Sequence, residues 1–147
     1  MLIDQIQSDL KEAQLSRNER TVSTLRLLLA EIKNVEISKG SPLEDSDIIL
    51  VVQREVKKRR EAAAGFRQGA REDSAIEEEA EAKILENYLP TQLSNEELTK
   101  LVEEAITELG ASSISDMGKV IGEVMGKVGG KADGSRVSGL VKEKLAQ

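Results

Sequence analysis

Apolar residues recur at three- and four-residue steps along almost the whole chain, and nowhere do they alternate with polar ones over the length of a strand. That regularity confines the chain to helices packed on helices. Ile3, Ile6, Leu10 and Ala13 mark a first helix. Val22, Leu25, Leu28, Leu29, Ile32 and Val35 mark a longer second one, which stops before the turn Gly40-Ser41-Pro42. Asp45 or Ser46 is placed to cap a third helix that buries Ile48, Ile49, Val52 and Val56. It is expected to run through the alanines to about Ala64, with Gly65 and Gly69 marking a break. A fourth helix carries Ile76, Ala80, Ile84, Leu85 and Tyr88.

Leu89-Pro90 is the natural boundary, because proline disfavours helical geometry in the residue before it and cannot continue the hydrogen-bond ladder. Ser94-Asn95-Glu96-Glu97 then reads as a capping box. The helix it opens buries Leu98, Leu101, Val102, Ile106 and Leu109 and stops at Gly110. Ser113 or Ser115 starts the next helix, which ends at Gly129-Gly130. Asp133 caps a last one with Val137, Leu140, Val141 and Leu145 inward. The expected architecture is all-α: about four helices in a bundle over residues 1–89 and a three-helix domain over 90–147, with no internal repeat.

Composition narrows the chemistry. Phe66 and Tyr88 are the only aromatic residues among 147, so the core must be aliphatic. The chain has no cysteine, which excludes disulfides and thiolate metal sites. It has no histidine, which excludes an imidazole base, a Ser–His or Cys–His pair and a His-based metal site. Carboxylates abound, but none is paired so as to split two pKa values for acid–base work. No catalytic residue, metal site or cofactor is expected. No apolar run approaches the roughly 18 residues needed to cross a bilayer, and the first residues lack the layout of a secretory leader. A cytoplasmic protein, monomeric by default, is the expectation.

Two surfaces invite a partner. The run Asp116 to Gly134 places Gly118, Gly122 and Gly126 at four-residue spacing inside an amphipathic helix whose apolar face is Met117, Val120, Ile121, Val124, Met125 and Val128. Each glycine costs a helix about 0.5–1 kcal/mol relative to alanine. The bare strip lets something approach the backbone closely, either a helix or a phosphate chain; alternatively it serves the close packing of the short helices themselves. From Ala111 onward there are six basic and four acidic residues in a chain of net charge −6. Lys119, Lys127, Lys131, Arg136 and Lys142 rim the strip and offer dispersed cations to a phosphate backbone. No aromatic residue lies here for base stacking, so shape recognition of structured RNA suits this end better than single-strand reading. Gly129-Gly130-Lys131 fails as a phosphate loop: Met125 stands where its first glycine belongs, Ala132 replaces the Ser or Thr, and no strand precedes it. It reads as a helix–helix turn.

The second surface is the run Arg54, Lys57, Lys58, Arg59, Arg60. Arg54, Lys57 and Lys58 lie opposite the apolar face, either as a solvated helix face or as a patch for RNA or an acidic partner. Residues 1–89 hold 18 acidic against 14 basic side chains, which favours a protein partner over RNA there. The acidic run Glu77-Glu78-Glu79-Ala80-Glu81 covers a solvent face or pairs with the basic helix.

YLPTQLSNEEL (Tyr88 to Leu98), DMGKVIGEVMGKVGGKADG (Asp116 to Gly134) and REVKKRREAAAGF (Arg54 to Phe66) together resemble the GatB/YqeY family of small bacterial proteins. The resemblance covers nearly the whole chain. It implies an all-α fold whose C-terminal part is similar to the tail domain of the B subunit of the tRNA-dependent aspartyl/glutamyl amidotransferase, where the tail helps hold the tRNA. By that likeness the surface around Gly118, Lys119, Gly122, Lys131 and Arg136 would contact tRNA or another structured RNA. Catalysis is not carried over, because the amidase and the kinase-like cradle lie outside the tail. A label of carbon–nitrogen ligase with glutamine as amide donor would be inherited from the larger enzyme.

Overall fold

The computed structural model describes residues 1–146 and, among them, holds seven α-helices, one 3₁₀ turn and no strand. The chain divides into two compact units, Met1–Leu89 and Pro90–Gln147. The first contains α1 (Leu2–Leu15), α2 (Glu19–Lys39), α3 (Asp45–Gln68) and α4 (Glu72–Glu86); the second contains α5 (Asn95–Leu109), the 3₁₀ turn Ile114–Asp116, α6 (Met117–Val128) and α7 (Gly134–Leu145).

The first core is aliphatic, built on Ile6, Leu25, Leu28, Ile32, Ile48, Val52 and Leu85. Its one aromatic member, Tyr88, donates a 2.6 Å hydrogen bond from its hydroxyl to Asp9 Oδ2. Burial pushes the phenol well above its ordinary pKa, and the Asp9 carboxylate adds to that. Asn18 caps α2 by accepting from the Thr21 N–H, and Gly40 ends it in the left-handed region.

Both ends of α3 differ from expectation, as does the start of α6, which is Met117 after the N-cap Asp116 and not Ser113 or Ser115. Glu44, not Asp45 or Ser46, is the N-cap of α3. The Asp45 carboxylate instead accepts the Leu2 N–H at 2.9 Å, while Asp47 accepts the Glu44 N–H at 3.0 Å and the Lys39 ammonium at 2.8 Å. The Lys39 hydrogen bond, then that backbone N–H, hold the Asp47 carboxyl below the usual carboxylate range. Nor does α3 break at Gly65; it continues to Gln68. Antiparallel pairing with α4 outweighs the glycine. Arg59 reaches Glu81 at 2.7 Å and Glu78 at 3.7 Å, Arg60 pairs with Glu86, and Arg67 pairs with Glu79 and, at 3.1 Å, with Glu72. Most of the acidic run thus pairs with the basic helix. Ala63, Ala75 and Ala82 are buried, small enough to let two helices lie close.

The second core is Leu98, Val102, Ala105, Val120, Val124, Val128, Ala132, Val137, Val141 and Leu145. Ser94 and Glu97 satisfy each other's backbone N–H groups at 3.1 Å, Gly110 ends α5 at φ 63°, and Asp133 accepts the Arg136 N–H at 2.8 Å to cap α7. Before α6, the Asp116 carboxylate accepts the N–H groups of Ser112 and Ser113, which holds its pKa down.

Candidate functional site

On α6 the buried edge is Val120, Val124 and Val128, flanked by half-buried Met117, Ile121 and Met125. Gly118, Gly122 and Gly126 are exposed. A Cβ placed on any of the three would meet nothing within 4 Å, and none has a left-handed φ. The packing explanation therefore fails: no helix of this unit needs these glycines in order to approach. Gly129 and Gly130 are a different case. Their φ values of 53° and 89° belong to the tight turn between α6 and α7, as read from the sequence.

The seven candidates around the strip separate into two kinds. Lys119, Lys131 and Lys142 are exposed and join no ion pair among the described residues. Lys127 is committed to Glu108 at 3.2 Å and Glu123 at 3.4 Å, and its pKa is raised chiefly by the hydrogen bond to Glu108. Arg136 turns back on its own fold: Nη2 donates to the Leu93 carbonyl and to Asn95 Oδ1, both at 2.9 Å. With Leu93 N–H to Lys131 O (2.8 Å) and Gln92 to Gly130 O (3.1 Å), it ties the strand of chain entering α5 to the α6–α7 turn. The exposed candidates that join no ion pair among the described residues are thus Gly118, Gly122, Gly126 and Lys119 on α6, Lys131 in the turn and Lys142 on α7.

In the first unit Arg54, Lys57 and Lys58 are exposed, and Lys58 lies 3.5 Å from Glu55. The three line a shallow cleft together with Glu31, Glu55 and Glu61, so three carboxylates balance three cations. That mixture of charges is what a solvated helix face presents, one of the two alternatives left open for this run. Among the described residues no three His, Cys, Asp or Glu side chains converge as metal ligands, and each shifted pKa traces to a cap, an ion pair or the buried Tyr88. No described helix is long and apolar enough to cross a membrane.

A family model described as Yqey-like protein matches residues 3–145. An uncharacterized protein of Schizosaccharomyces pombe is 33% identical over 90 residues, which cover 61% of this chain and 73% of that protein. The mitochondrial protein named altered inheritance of mitochondria protein 41 is 34% identical over 85 residues in Eremothecium gossypii, covering 57% of this chain and 46% of that protein. Its counterpart in Kluyveromyces lactis is 37% identical over 84 residues, covering 56% and 45%. The chain spans about half the length of these last two. These relatives are fungal, so they lend no support to the bacterial setting that the resemblance implied. The family match runs through both helical units, and the chain belongs to the YqeY family.

Proposed function

We propose that this chain is a non-catalytic binding module, in which residues 90–147 receive the backbone of tRNA or another structured RNA and residues 1–89 dock elsewhere. One observation carries the reading: α6 keeps three exposed glycines that its own fold does not use, each at a cost of about 0.5–1 kcal/mol. A strip without side chains admits a rigid, wide object against the helix. Lys119, Lys131 and Lys142 supply dispersed cations for phosphates, and no aromatic residue stands in this unit to stack a base. The likeness to the amidotransferase tail supports the same choice of partner. The reading needs an aqueous compartment that holds structured RNA, and either the cytoplasm expected from the sequence or the mitochondrial setting in two relatives' names supplies one.

The test is fluorescence anisotropy against bulk tRNA at two salt concentrations, with duplex DNA as competitor. Salt-sensitive binding that DNA does not displace, weakened by Lys119→Glu and Lys131→Glu, is the expected result. Affinity unchanged by both reversals overturns the surface. A transamidation assay on misacylated tRNA with this chain alone is expected to show no turnover.

One feature favours a second reading, a helical adaptor without RNA contact. Half-buried Met117, Ile121 and Met125 border the glycines, and an apolar edge beside a small-residue strip also suits a partner helix. A protein partner retained after RNase treatment of a lysate would favour the adaptor.

A further inference from the structure

We propose that the groove between the end of α1 and the outward face of α2 docks an acidic amphipathic helix of a partner protein. This surface lies in the first unit and does not depend on the α6 reading. The groove, about 610 Å³, is lined by Gln14, Arg17, Glu19, Val22, Ser23, Arg26 and Leu27. The α2 members fall at i, i+3, i+4, i+7 and i+8, a single ridge of the kind that interdigitates with a second helix. Leu27 is 54% exposed on that ridge, and Leu15, two residues before Arg17, is 78% exposed. Phosphates gain nothing from such a floor, whereas apolar anchors of a helix do.

Charge selects the occupant. Arg17 and Arg26 are exposed and join no ion pair among the described residues, as is also true of Arg20 beside them. Elsewhere in the same unit Arg59, Arg60 and Arg67 all hold carboxylates. Arg17 and Arg26, unpaired among the described residues and lining the groove with exposed Leu27 in a unit with more acids than bases, are complementary to carboxylates from outside. The one carboxylate in the lining, Glu19, sits in the first turn of α2, where the helix dipole already balances it. The backbone adds a further sign. Asn18 N–H reaches Ala13 O at 2.9 Å and Arg17 N–H reaches Gln14 O at 3.3 Å, a helix-ending motif whose left-handed position normally takes glycine. Here that position is Arg17, at φ 57°. That position sets Arg17 in the lining of the groove.

The experiment titrates the full chain with a labelled set of 18-residue helical peptides. Leu or Ile stands at i, i+4 and i+7, and the flanking positions are all Glu or all Lys. The Glu peptides are expected to bind at least tenfold more tightly than the Lys peptides, and Arg26→Glu to remove that preference. Arg17→Gly separates function from structure: it is expected to raise the melting temperature while weakening the Glu peptides several-fold. Lys119→Glu should leave peptide binding unchanged. Equal affinity for both peptide sets, no binding by either, an Arg17→Gly variant of undiminished affinity, or displacement of bound peptide by tRNA would each overturn the proposal.

Discussion

Ala70 sits where glycine is preferred, at φ 58°, in the turn between α3 and α4. Arg71 N–H to Phe66 O (2.7 Å) and Ala70 N–H to Arg67 O (3.1 Å) show why the chain accepts that geometry: the turn closes α3 and aims α4 back along it. Relieving the steric conflict of the left-handed Cβ should stabilise the fold, so Ala70→Gly is expected to gain about 1 kcal/mol in denaturant unfolding. Neither Ala70 nor Arg17 was legible in the sequence, because the rule that finds helix ends looks for the glycine that is absent. Tyr88 carries the second prediction at this scale. Its hydroxyl bond to Asp9 is worth about 1 kcal/mol, lost in Tyr88→Phe. The phenol's pKa is raised by folding, above the value of about 10 in an unfolded chain. The stability it contributes is therefore full below pH 10 and is lost as pH rises beyond it. Unfolding free energies of wild type and Tyr88→Phe should differ by a constant amount from pH 6 to 9 and converge at higher pH. A gap that widens with alkali would contradict the assignment.

Helices, as elements, were largely written into the apolar periodicity, and the ends closed by local chemistry could be read directly. Ser94 with Glu97, Gly110, Asp133 and Gly40 act within a few residues of themselves. The run of α3 through Gly65 could not be read that way, since it depends on Arg59, Arg60 and Arg67 meeting carboxylates some 5 to 26 positions away. The same distinction governs α6. Its pattern showed three glycines on one side, but only the packed unit shows that the side is open. Because no neighbour obstructs a methyl group there, Gly118→Ala, Gly122→Ala and Gly126→Ala should each stabilise the fold by about 0.5–1 kcal/mol, read as a rise in melting temperature. Destabilisation by any of them would mean that the strip serves the fold after all.

At the scale of the whole molecule, an acidic chain of net charge −6 can touch RNA only through a local surface, and the structure limits how many cations that surface offers. Lys127 and Arg136 looked equivalent to the other candidates in sequence. Lys127 pairs with Glu123 at the i,i+4 spacing a helix favours and with Glu108 at long range, while the bonds of Arg136 to Leu93 and Asn95 join distant parts of the chain and could not be read from spacing. Three lysines remain. Three phosphate contacts imply a shallow dependence of affinity on salt, with a log–log slope of about −2 to −3, and a slope near −6 would require cations outside this surface. If the glycine strip receives a bound RNA, the decisive quantity is the tRNA affinity of the chain carrying Gly118→Ala, Gly122→Ala and Gly126→Ala together, measured beside its melting temperature. A higher melting temperature and an affinity at least tenfold weaker are expected. An equally stable or more stable variant that binds tRNA as tightly as wild type would contradict that role for the strip.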